Sequence, residues 1–83
     1  MKKPKAKREF GKLIKQLKPL RVEERGEVRL SIIERNGERF LDVRFFLKTE
    51  RYTGPTKTGI MLRAEAVELL LSQERKIRKL LKL

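Results

Sequence analysis

Three groups of residues have side chains and spacings suited to holding a phosphate backbone. The first is Arg29, Arg44 and Lys48: Arg44 and Lys48 stand at even spacing in one alternating segment and so share one side of extended chain, and Arg29, in the alternating segment before it, can share that side when the two segments pair. The second is Thr56, Lys57 and Thr58 in "YTGPTKTGIML" (52–62), where hydroxyls and backbone N–H groups can donate to phosphate oxygens while Lys57 supplies charge. Gly54 and Pro55 set the turn before them, and Gly59 lets another backbone come close. The third is Arg35 and Arg39, which flank the Asn36-Gly37 turn. Aromatic residues stand among these cations. Phe46 and Tyr52 are candidates for stacking on exposed bases, and the planar guanidinium of Arg35 is another. For Phe46 the competing reading is core or interface packing; for 52–62 it is an ordinary turn between strands.

The whole-chain balance agrees with a polyanionic partner. The 83 residues carry 23 Lys and Arg against 11 Asp and Glu, a formal +12. Nucleic acid is the first partner that such an excess implies, and an anionic membrane surface the second. There is no Cys and no His, so disulfide and thiolate chemistry and the commonest metal ligand are absent. Metal-dependent cleavage needs clustered carboxylates, and the sequence has no such cluster. The expectation is a protein that is not an enzyme, uses no cofactor or metal and takes no small-molecule substrate. The basic start has no apolar block behind it, and no stretch reaches the length of a membrane span. An intracellular protein without a membrane partner is expected, in the cytoplasm or nucleoid of a prokaryote or the nucleus of a eukaryote.

These side chains need elements to position them. Residues 1–9 hold Lys2, Lys3, Lys5, Lys7 and Arg8 with little that could enter a core, and read as a disordered basic arm that adds phosphate contacts or solubility. Residues 10–83 form one small domain. "FGKLIKQLKPL" (10–20) suits a helical face through Phe10, Leu13, Ile14 and Leu17, or a strand through Leu13, Lys15 and Leu17, and Pro19 stops either. Over 25–48 the alternation of Val28, Leu30 and Ile32, then Leu41, Val43 and Phe45, around Asn36-Gly37 predicts an antiparallel hairpin. Its second face carries Arg29, Ile33 and Arg35 on one strand and Phe40, Arg44, Phe46 and Lys48 on the other, with Asp42 as the lone acid. Residues 49–55 read as a loop and 56–62 as a last short strand. A helix over 64–83 follows, with Glu68, Ser72, Arg75, Lys79 and Lys82 on one side and an apolar arc opposite that is too wide for one small sheet. Glu74 and Arg78 are spaced to pair. Leu69, Ile77 and Leu80 are the expected contacts with a second copy of the chain.

Two motifs in this order, "LDVRFF" (41–46) and "GPTKTGIML" (54–62), resemble the positive cofactor four family of transcriptional coactivators and their prokaryotic relatives. The family's corresponding patterns are I-D-I-R-aromatic and P-T-K-K-G-I-x-L, at this spacing and with a helix straight after. The resemblance covers residues 28–71 well and 10–83 loosely. It implies an α+β fold in which a curved four-stranded antiparallel sheet precedes one C-terminal helix, and it makes 10–20 the first strand. It also implies a homodimer whose sheets form grooves for single-stranded DNA, read with little sequence preference in transcription regulation, replication or repair. Four family positions depart here: the second Lys is Thr58, one Trp falls near Leu47, the helix Trp falls at Val67, and an aromatic before the hairpin falls near Arg35. By this reading Arg29, Arg44, Lys48 and Lys57 hold phosphates, and Arg39 sits at the hairpin rim. The alternative is a structural RNA-binding or ribosome-associated basic protein, which charge and size suit equally and which would have to read the 2′-OH.

Overall fold

Asn36 and Gly37 both have positive φ, 51° and 80°, and Arg35 lies directly opposite Glu38. This is the two-residue turn whose twist matches its flanking strands, and Asn-Gly tolerates it at little steric cost. It joins β3 (Gly26–Arg35) to β4 (Glu38–Lys48), and the pair stays in register along the whole length of β3. The computed structural model describes residues 11–83; the basic arm (1–9) and Phe10 lie outside them. The element order is β1 (Lys12–Gln16), β2 (Arg21–Glu23), β3, β4, β5 (Thr53–Arg63), α1 (Ala64–Ser72) and α2 (Glu74–Leu81). One antiparallel sheet runs β1-β3-β4-β5, with β2 also paired to β3.

β1 and β2 are two pieces of one edge. The Leu17 N–H donates to Leu30 O and the Leu20 N–H to Val28 O, each at 2.8 Å. Lys18-Pro19 interrupts the edge between them, where a residue without an N–H is tolerated. Within the described part of 10–20 the strand reading is therefore the one the fold adopts, as β1, and the edge resumes beyond Pro19 as β2, outside the expected bounds.

The last strand is longer than 56–62. It begins at Thr53, so the loop ends at Tyr52 rather than Pro55. Thr49 closes that loop: its Oγ1 donates to Tyr52 O at 3.0 Å and accepts from the Tyr52 N–H at 3.1 Å.

The helical segment also departs from the single helix expected over 64–83. It breaks at Gln73 into α1 and α2. Ser72 Oγ and Gln73 Nε2 both donate to the Leu69 carbonyl, at 2.7 and 3.2 Å. Side chains that bond back to a preceding carbonyl compete with the helix ladder and bend it. Lys82, in the left-handed region, ends α2, and the Leu83 N–H donates back to Arg78 O at 2.9 Å. Glu74 and Arg78 form no ion pair.

α1 covers the sheet face of Ile32 and Leu41 with Val67 and Leu71, leaving an apolar cleft between helix and sheet. α2 is anchored chiefly on α1. The core is thin: among the described residues Ile33, 6% exposed, is the only buried large apolar side chain, and none is fully buried. No helix among the described residues is long and apolar enough to cross a membrane.

Candidate nucleic-acid interface

The pairing register assigns each side chain to a face. Glu27 lies opposite Phe46, Arg29 opposite Arg44, Ser31 opposite Asp42, and Ile33 opposite Phe40. Directly opposed residues in an antiparallel pair project to the same side. That side is opposite α1, and it forms a shallow groove floored by Arg29, Ser31, Asp42, Arg44 and Phe46 and walled by Leu13, Gln16 and Pro55. Lys48 and Arg35 lie at its two ends. The fold thus gathers Arg29, Arg35, Arg44, Phe46 and Lys48 as the alternation implied.

Within the groove the side chains are bound to one another. The Arg29 guanidinium lies on the Phe46 ring, 3.5 Å from its centroid, and its Nε donates to Glu27 Oε2 at 2.5 Å. The same carboxylate faces the Lys48 ammonium at 3.8 Å. Glu27 is 8% exposed. Asp42 is therefore not the lone acid of this face, as the sequence reading had it. The alternation Glu27, Arg29, Ser31, Ile33 contains the signal that places Glu27 there. Arg29 covers the Phe46 face that was expected to meet a base, so the plane presented to the groove is the guanidinium.

Arg44 is turned inward. Its Nη2 donates to Asp42 Oδ1 at 2.9 Å, its Nε faces both carboxylate oxygens at 3.3 and 3.2 Å, and its Nη1 donates to Thr56 O at 2.8 Å. Both side chains of the pair are 11% exposed. Arg44 here pins β5 to β4, where the sequence placed it on phosphate.

The hydroxyls of "TKT" divide in the same way. Between the pairs Arg44–Gly59 and Phe46–Pro55, one residue of β4 faces three of β5. The bulge is held by Thr56, whose Oγ1 donates to Phe45 O at 2.8 Å and accepts from the Thr58 N–H at 3.1 Å. Thr56 thus carries a structural duty in the bulge. Lys57, at the crest of the bulge, is exposed. A Cβ on Gly59 would stand 2.5 Å from the Val43 carbonyl oxygen, which is why the strand continues there through glycine.

Tyr52 is half exposed, and its hydroxyl donates to Pro55 O at 2.5 Å. Its ring end lies where a Cβ on Gly54 would be, so ring and glycine fit each other. Arg35 is exposed at the hairpin end, with Nη1 3.7 Å from Met61 Sδ. Arg39 is not in the groove. It lies opposite Glu34, on the α1 side of the sheet, and pairs with that carboxylate at 3.1 Å. Arg63, which the sequence reading omitted, belongs to the groove side. It lies opposite Phe40, 5.9 Å over that ring, and pairs with Glu38 at 3.3 Å.

No family model matches the chain, and no curated protein matches it either. Among solved structures it is similar to BPSL1147, a PC4 homologue from Burkholderia pseudomallei. In the tetragonal crystal form the TM-score is 0.60 at 22% identity, over 76% of this chain and 94% of that one. In the orthorhombic form it is 0.55 at 24% identity, over 81% and 88%. An open antiparallel sheet followed by C-terminal helices is what these chains share, and the protein has the fold of the prokaryotic PC4 homologues.

Proposed function

We propose that the protein is a non-enzymatic binder of single-stranded DNA, with little sequence preference, that acts as a homodimer in transcription regulation, replication or repair. The observation that carries this reading is the groove face, where the Arg29 guanidinium lies over Phe46 between the exposed cations Lys48 and Arg35. A binder indifferent to sequence needs a row of charge for the backbone and planar surfaces for the bases, and this face offers both. In this reading a base stacks on the outer side of the Arg29 guanidinium, which Phe46 supports from below and Glu27 orients. Lys48, Lys57 and Arg35 hold phosphates. Arg44, Asp42 and Thr56 keep the groove in shape. Tyr52 stacks a base at the β5 end.

The homodimer is supported by the apolar surface that one chain leaves open. Leu69 is 64% exposed, Leu80 75% and Ile60 55%, and Ile77 is partly exposed. A second copy laid on the helices covers Leu69, Ile77 and Leu80 and completes the thin core. The basic arm at 1–9 adds phosphate contacts. The reading places the protein inside the cell, with the nucleic acid.

Equal lengths of fluorescent single-stranded and duplex DNA, titrated at two salt concentrations, test the groove. Wild type binds the single strand more tightly. Arg29→Ala weakens that binding about tenfold, the scale of one lost base stack, and Lys57→Ala lowers the slope of log affinity against log salt by about 0.7. Equal binding of both forms, unaltered by Arg29→Ala, refutes the groove reading. A matched RNA strand that binds more tightly than the DNA moves the assignment to RNA.

A further inference from the structure

α2 carries a charge pattern that the groove does not use. On a helical projection Arg75, Arg78, Lys79 and Lys82 fall within an arc of about 100°, with Lys76 beside it. Ile77, Leu80 and Leu81 occupy the opposite side. Glu74 is the only acid from 74 to 83. On the sheet the charges are compensated: Glu27, Glu34, Glu38 and Asp42 each pair with at least one cation. None of the α2 cations has an ion pair among the described residues. Arg75, Lys76 and Lys79 also line a recess with Ser72 and Gln73 at the helix break.

The placement separates this charge from the groove. α1 lies on the face opposite Arg29 and Phe46, and α2 continues from α1. None of the α2 residues lines the groove. From Arg75 to Lys82 the helix rises about 10 Å, a length over which duplex DNA carries about six phosphate charges. Four cations on one side over that rise offset about two thirds of those charges. The helices have no aromatic residue of the kind that seats a basic amphipathic helix in a lipid interface.

We propose that the basic face of α2 is a second nucleic-acid surface, which binds the phosphate backbone of a duplex next to the single strand. The apolar side of α2 remains available to a second copy of the chain, because the two faces are opposite.

The test compares an oligonucleotide of about ten nucleotides, within the range of one single-strand site, with a duplex bearing the same strand as an overhang. The variant Arg75→Gln/Lys79→Gln/Lys82→Gln keeps residues of similar helix propensity. It lowers the salt slope on the tailed duplex by about 2.7, the value for three phosphate contacts, and leaves the slope on the short strand unaltered. Arg29→Ala in parallel weakens the short strand, so failure of the groove reading shows in that arm alone. An unaltered slope on the tailed duplex overturns the proposal, and so does an equal fall on both ligands, which is the signature of bulk charge. Wild-type binding to phosphatidylserine vesicles that the triple variant loses, with duplex binding intact, assigns α2 to a membrane and overturns it as well. Should the triple variant lose helical circular dichroism, the single variants Arg75→Gln and Lys79→Gln each lower the slope by about 0.9 if the proposal holds and leave it unaltered if it fails.

Discussion

Arg44 shows how much a residue's role depends on what surrounds it. Its type and spacing suit a phosphate ligand. In the fold its guanidinium is spent on Asp42 and the Thr56 carbonyl. A buried pair that loses one member takes the counter-charge from the other in a poor solvent, and this typically costs about 3 kcal/mol or more. Asp42→Ala is therefore expected to lower stability by about 3 kcal/mol, read from the urea midpoint at unaltered slope. A loss under about 1 kcal/mol would show that water repairs the site. Arg29 is the reverse case. Strand spacing placed it among phosphate ligands, and the fold lays it on Phe46 as a supported plane.

At the scale of elements, the hairpin was legible because its cause is local. Alternation and Asn-Gly act within a few residues and need no partner. The bulge in β5 was not legible, because it depends on a hydroxyl of one strand meeting a carbonyl of another. The helix break lay in between. Ser72 and Gln73 are ordinary exposed residues until their side chains find the Leu69 carbonyl. Alanine at both positions removes these bonds and raises intrinsic propensity, most clearly at Ser72, by about 0.5 kcal/mol. Ser72→Ala/Gln73→Ala is expected to increase the helical signal at 222 nm and to raise the melting temperature slightly. A fall in that signal would mean that the bend itself is required for packing.

The described residues form a slab of 52 × 35 × 18 Å with a radius of gyration of 15.0 Å, against about 12 Å for a compact chain of similar length. A sheet covered on part of one side has little interior, and Leu69, Leu70, Leu71 and Leu80 stand open on the helices. The proposed dimer accounts for this shape. Sedimentation is expected to give about twice the chain mass of 9.9 kDa. Leu69→Glu/Leu80→Glu is expected to return one chain mass and to lower the melting temperature, since the open faces then lack cover. A wild type that sediments as one chain at every concentration would remove the dimer from the account.

By itself the sequence determined the net charge, the two central strands and their turn, and the shared side of Arg29, Arg35, Arg44, Phe46 and Lys48. Each of these follows from composition or from a period of two along one strand. Only the tertiary structure decided which of those residues face solvent. Whether a cation is available depends on whether an acid from the same or a neighbouring strand already holds it, and Glu27 and Asp42 settle that for Arg29 and Arg44. It also decided that Arg39 lies on the far side, because a two-residue turn sets the register and the register sets the face. A charge read along the chain is local, whereas its partner is brought to it by the fold.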